Sequence, residues 1–177
     1  MRRHWRCDMT EPRLIKRGDL DAYRRLRVTM LKEAPWAFAS LPYVELSSHP
    51  SVVKQWLDDP GNDLVVVDHP TEDGELASAV GIQRETKAQF RHKAIAWGVY
   101  TIPEYRGQGL GEAAMRHAIE VVRSWPGVET LLLHVTGGAD EVLELYTSIG
   151  FETWGIEPDG VRLGGASYDV HRMRLQL

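Results

Sequence analysis

The chain holds one cysteine, Cys7, in 177 residues. A lone thiol excludes an internal disulfide and a cysteine-cluster zinc site, and no metal is expected. With no disulfide framework to point elsewhere, the cytoplasm is the expected compartment. No apolar run approaches the length of a membrane span. The opening MRRHWRCDM is basic but lacks the apolar centre of a signal peptide. Positive charge is not in excess, since the formal net charge is -4. That argues against binding nucleic acid through a broad basic face. Arg2, Arg3 and Arg6 crowd the start, and residues 1–10 read as a loose, solvated N-terminal segment. Neither an internal repeat nor a low-complexity tract appears.

What is present fits an ordinary globular chain, with 43% hydrophobic and 26% charged residues. The length suits one domain, expected over residues 11–177. Arg13 to Lys16 reads as a short strand. Asp19 is placed to cap a helix carrying Leu20, Tyr23, Leu26, Met30 and Leu31, which Pro35 ends. Ser51 is the expected cap of a second helix through Leu57. Leu64 to Val67 and Leu76 to Ile82 read as a strand hairpin. Ala94 to Ile102 is apolar on both faces and therefore expected at the centre of a sheet. A helix over 112–124 presents Ala114, Met115, Ala118, Ile119 and Val122 on one face. Leu131 to Val135 is a buried strand, and Asp140 is the expected cap of a last helix that Gly150 closes. Phe151 to Ile156 and Tyr168 to Leu175 read as the final strands, with glycine-rich 155–165 expected to be mobile between them.

The segment most rich in chemical information is VYTIPEYRGQGLG, residues 99–111. A strand stops at Pro103, a polar turn follows, and Arg106, Gly107, Gln108, Gly109, Leu110 and Gly111 lead into a helix. Glycines let backbone approach a ligand closely. The unpaired N–H groups of a first helical turn, with the helix dipole, favour phosphate. Gly109-x-Gly111-x-x-Ala114 also fits a dinucleotide fingerprint, but it lies deep in the chain. Position 131 is Leu where that fingerprint needs Asp or Glu.

A second segment, Leu145-Tyr146-Thr147-Ser148-Ile149-Gly150-Phe151, follows one strand and one helix later. Together, PEYRGQGLG and LYTSIGF resemble the GCN5-related N-acetyltransferase (GNAT) superfamily. The resemblance implies an α/β (mixed α+β) fold: a six- to seven-stranded, mostly antiparallel sheet with about four helices, splayed between strands 4 and 5. It implies acetyl-CoA as co-substrate and an amine as acceptor. The turn from Arg106 to Gly111 would hold the pyrophosphate. The backbone of Val99, Tyr100 and Thr101 would bond the pantetheine arm, where a β-bulge usually opens the sheet, and supply an oxyanion donor. Tyr146 matches the family's general acid, since a phenol with pKa near 10 stays protonated at neutral pH.

Two positions depart from the family pattern. Ala139 stands where an asparagine often contacts the cofactor arm. Ile95 stands where many members carry a glutamate base. The base is therefore unassigned among Glu85, His92, His134 and water. The family's acceptor site corresponds to residues near 33–46 and 156–168, where Trp36, Phe38 and Tyr43 offer an apolar wall or core packing. Glu33, Glu45, Glu157 and Asp159 lean acidic, which would suit a cationic amine. A homodimer is compatible with the resemblance, and so is a non-catalytic acetyl-CoA-binding sensor.

Overall fold

The computed structural model describes residues 11–38 and 49–177. Tyr43, Glu45, Cys7 and the basic N-terminal cluster lie outside them. Seven strands form one sheet in the order β1-β2-β3-β4-β5-β7-β6. In chain order the elements are β1 (Arg13–Leu14), α1 (Leu20–Glu33), α2 (Pro50–Leu57), β2 (Asn62–Asp68), β3 (Leu76–Arg84), β4 (Lys93–Thr101), α3 (Leu110–Arg123), β5 (Thr130–Thr136), α4 (Asp140–Ser148), β6 (Glu152–Leu163) and β7 (Ala166–Gln176). All strand pairs are antiparallel except β4–β5. A parallel neighbour needs a crossover, and α3 supplies it.

The sheet carries a core on each face. On one, Val65, Val67, Val80 and Ile82 pack against Ala114, Met115, Ala118 and Val122 of α3 and Tyr146 of α4. On the other, Leu64, Val66 and Ala79 pack against Tyr23, Leu26 and Met30 of α1 and Val53 of α2. Alternation along β2 separates the two sets, as pleating requires. β4 is central and apolar on both faces, as expected, though its burial alternates because Ile95 and Trp97 border a cleft on one face.

Three local expectations are corrected. α2 begins two residues earlier than expected, with Pro50 at its first position and His49, not Ser51, as its cap; proline suits a position whose N–H has no helical partner. Ala139, not Asp140, caps α4, and Asp140 stands in its first turn, where the helix dipole favours a carboxylate. The segment 155–165 is not a loop. β6 and β7 form one long hairpin closed by Gly164 (φ 59°) and Gly165 (φ 83°). Two left-handed glycines between paired strands are what a tight hairpin turn demands.

Candidate functional site

Two devices open the middle of the sheet. β4 pairs with β5 only from Lys93↔Thr130 to Ile95↔Leu132, and past that point the strands part. On its other edge β4 stays bonded to β3, with one irregularity. Between Ala79↔Tyr100 and Gly81↔Trp97, Gly98 and Val99 together oppose Val80. This is a β-bulge. Gly98 takes φ 58°, a backbone conformation that costs a glycine nothing.

At the end of β4 the chain makes a 3-10 turn over Pro103–Tyr105 and reaches the glycine turn. Gly107 (φ 68°) and Gly109 (φ 87°) are both left-handed, and Gly109 caps α3. A Cβ at either would meet no atom within 4 Å, so the space beside them is open. The first α3 hydrogen bond runs from Ala113 N to Gly109 O at 2.9 Å. The N–H groups of the preceding turn residues therefore have no helical acceptor and border open space.

Side chains of this turn point elsewhere. Leu110 is buried in the core. Gln108 Nε2 donates to Glu104 O at 2.8 Å. Arg106 Nε donates to Thr101 O at 2.9 Å, and its Nη2 lies 2.8 Å from Glu33 Oε1. The guanidinium lies 5.4 Å from the centre of the Tyr100 ring. The Tyr100 hydroxyl donates to the other Glu33 oxygen, Oε2. Ser78 Oγ donates to Tyr100 O at 2.8 Å and lies 3.0 Å from Thr101 Oγ1. Gly111 is the one position here where bulk matters, since a Cβ would stand 3.0 Å from Thr101 Oγ1. Val99, Tyr100, Thr101 and the turn 106–111 are thus one contiguous unit, tied together by these side-chain bonds.

Tyr146 lies on α4, buried, with its ring 5.7 Å from that of Phe151. Burial raises its pKa above that of a free phenol, so it stays protonated throughout the neutral range.

Where β4 and β5 part, a cleft of about 700 Å³ opens on the α1–α2 side of the sheet. Arg27, Phe38, Trp56, Trp97, His134 and Arg172 are among the residues lining it. Trp56 and Trp97 meet edge to face at 5.3 Å. The Arg27 guanidinium lies 5.4 Å from the Trp97 ring centre and 5.9 Å from that of Phe38. Across the cleft, Arg172 Nη1 lies 2.9 Å from His134 Nε2, and its Nη2 donates to Glu157. Arginine has no acceptor, so His134 Nε2 accepts and the ring proton sits on Nδ1. Partial burial, and after it the Arg172 charge, holds the His134 pKa below the usual histidine value, with Glu157 opposing. His134 is therefore neutral at pH 7, with the lone pair of Nε2 already engaged.

The other sequence candidates fall away from this cleft. Glu85 and His92 flank the opposite end of β4: Glu85 N bonds Lys93 O, and His92 O accepts from Glu129 N and Thr130 N. His92 is seven residues before Val99, roughly 23 Å along a strand. Ile95 does line the cleft, so the position lacking a glutamate faces it. Trp36 is 40% exposed and lines neither core nor cleft, unlike Phe38. Glu157 lines the cleft, while Asp159 bonds Arg162 and Ser167 within the hairpin. Sequence reasoning missed Arg27, Trp56, Trp97 and Arg172. Arg27 left a legible sign: a charge four residues after Tyr23, inside the buried stripe of α1. Among the described residues, no group of three His, Cys, Asp or Glu side chains is placed to hold a metal ion. No helix among them is long and apolar enough to cross a membrane.

A family model described as "Acetyltransferase (GNAT) family" matches residues 28–151, from within α1 to just before the last hairpin. The chain belongs to the GNAT acetyltransferase family. Its GNAT relatives include a histone acetyltransferase TAP1 from Glycine max, 30% identical over 95 residues. Another is a putative phosphinothricin acetyltransferase YwnH from Bacillus subtilis, 23% identical over 99 residues. These matches cover 53% and 56% of this chain, but only 37% and 60% of the relatives' own lengths. The GNAT fold of the chain is also that of yncA, a putative acetyltransferase from Salmonella typhimurium solved with its cofactor acetyl-CoA. The TM-score is 0.81 at 19% identity, covering 96% of this chain and 94% of that one. A GNAT acetyltransferase from Streptococcus pneumoniae gives a TM-score of 0.80 at 18% identity, covering 94% and 98%.

Proposed function

We propose that this GNAT domain is an acetyl-CoA-dependent N-acetyltransferase in which a primary amine attacks the thioester directly. The observation that carries the reading is the parting of β4 and β5 after Ile95 and Leu132, with the glycine turn at the end of the same strand. The arrangement suits a donor with a phosphate end and an amide-bearing arm. The N–H groups of 106–111, at the positive end of α3, take the pyrophosphate. The open edge of β4 at Val99 to Thr101 pairs with the arm as a strand would. The Salmonella protein of the same fold was solved with acetyl-CoA, and the sequence relatives are acetyltransferases by name; both support the same donor.

Acetyl-CoA supplies an acyl group activated by a thiolate leaving group. The acceptor enters from the cleft on the α1–α2 side. Its neutral amine forms the N–C bond as the C–S bond breaks. A β4 backbone N–H stabilises the negative charge that develops on the carbonyl oxygen. Tyr146 gives its proton to the departing sulfur, because a phenol kept neutral by burial is a donor at pH 7. The amine's own proton passes to water in the cleft, or to His134 Nε2 if Arg172 gives way. The acceptor is a primary amine of a small molecule or peptide that fits about 700 Å³ between tryptophans and the His134–Arg172–Glu157 row.

A coenzyme A release assay across an amine panel tests this. Thiol release that depends on both acetyl-CoA and one class of amine is the expected result. Binding of acetyl-CoA with no release for any amine would leave a binding module, and no binding at all would refute the reading.

A further inference from the structure

We infer that Glu33 is a positioning residue for the phosphate-binding turn, setting its shape from α1, a helix that also walls the opposite cleft. The inference rests on the reading of 106–111 as the acetyl-CoA turn. One carboxylate takes two partners from two different elements. Its Oε2 accepts from the hydroxyl of Tyr100 on β4, and its Oε1 pairs with Arg106 Nη2 at 2.8 Å, the first residue of the turn. Arg106 closes the loop by donating Nε to Thr101 O at 2.9 Å and lying over the Tyr100 ring. The strand end, the turn and the end of α1 are therefore tied by side chains at the point where β4 has no β5 neighbour to hold it.

An exposed carboxylate–guanidinium pair contributes little by itself, and this one is a third to a half exposed. The buried Tyr100 hydroxyl and the Thr101 carbonyl make it part of a network, and members of a network support one another. The network also settles what Arg106 does. Its charge is directed inward to Glu33, so the phosphate site is made of N–H groups and the helix end. Holding those groups in place beforehand lowers the ordering cost of binding. Because Arg27 lies on the same helix and reaches the cleft, α1 touches both sites.

The test compares wild type, Glu33→Gln, Arg106→Met and the double variant by amide hydrogen exchange and by calorimetry with acetyl-CoA. Glu33→Gln should speed exchange over 101–110 and leave the β2 and β3 amides unchanged. It should weaken acetyl-CoA binding about fivefold, the upper range for a networked exposed pair. The double variant should lose little more than the weaker single variant, because both remove one network. Unchanged exchange over 101–110, unchanged or tighter acetyl-CoA binding, or fully additive losses would overturn the inference. Wild type that fails to bind acetyl-CoA would refute the proposed function instead, and the exchange data would still decide the role of Glu33.

Discussion

Gly109 allows strain and charge to be separated at one atom. It stands at φ 87°, ψ -1° as the cap of α3. A residue with a Cβ in this left-handed region costs about 1–2 kcal/mol. A Cβ there would meet nothing within 4 Å, so Gly109→Ala carries strain and no clash. For a chain of this size each kcal/mol lowers Tm by roughly 2–4 °C, so Gly109→Ala should melt about 2–8 °C below wild type. Gly109→Asp should melt no lower, because aspartate tolerates the left-handed region better than alanine. In binding, the order reverses. A carboxylate about 4 Å from a phosphate oxygen costs about 4 kcal/mol at an effective dielectric constant of about 20. Salt and solvent reduce that. Half of it, about 2 kcal/mol, still weakens acetyl-CoA binding about 30-fold. Gly109→Ala should bind far more tightly than Gly109→Asp while being no more stable. Circular dichroism melting and calorimetric titration read the two quantities separately. If Gly109→Asp binds acetyl-CoA within about threefold of Gly109→Ala, the N–H groups of this turn do not receive a phosphate.

Three further outcomes are expected. Tyr146→Phe should lower turnover by about 10²-fold or more while acetyl-CoA affinity holds, as removal of a general acid does; equal turnover removes Tyr146 from the reaction. Gly81→Ala would place a Cβ 2.4 Å from Trp97 Cε2, so the indole must leave its place; a stability loss of about 1–3 kcal/mol should accompany a raised acceptor KM, and a wild-type melting curve would contradict the packing. His134 has a folded pKa below its unfolded value near 6.5. The unfolded chain therefore binds the proton more readily, and this contribution to stability is present above about pH 6.5 and lost as pH falls. Urea midpoints of wild type should thus drop more from pH 7.5 to pH 5 than those of His134→Gln, and parallel profiles would show that His134 is not depressed.

Much of the fold was legible because local rules governed it. The stripe of α1, the hairpin of β2 and β3, and the strand–turn–helix at 99–111 follow periodicity and glycine placement alone. The long β6–β7 hairpin did not, because its pattern is broken by Pro158 and several glycines, and only cross-strand pairing shows that it continues. The turn was found by its glycines, yet the direction of Arg106 was not, since Glu33 and Tyr100 are distant in sequence and meet only through the fold. The cleft was the least legible part. Trp56, Trp97, His134 and Arg172 come from four elements, and no spacing along the chain announces their meeting. His134 was singled out for its intrinsic pKa, but its engagement by Arg172 depends on the register of β5 against β7.

The bulge in β4 is also a change of parity. Before it, Ala94 and Ala96 face the α3 side, and Trp97 faces the α1 side. After it, Val99 faces α3 and Tyr100 faces α1, three positions from Trp97 where an unbroken strand would place an odd residue two away. One inserted residue thus reverses which numbers point up and which point down for the remainder of the strand. It is this reversal that delivers the Tyr100 hydroxyl to Glu33. With Gly98 held in an unbulged pleat, Tyr100 would present its ring to α3 instead. The bulge thus takes up one extra residue and keeps Tyr100 on the side of Glu33, just past the point where β4 and β5 have parted.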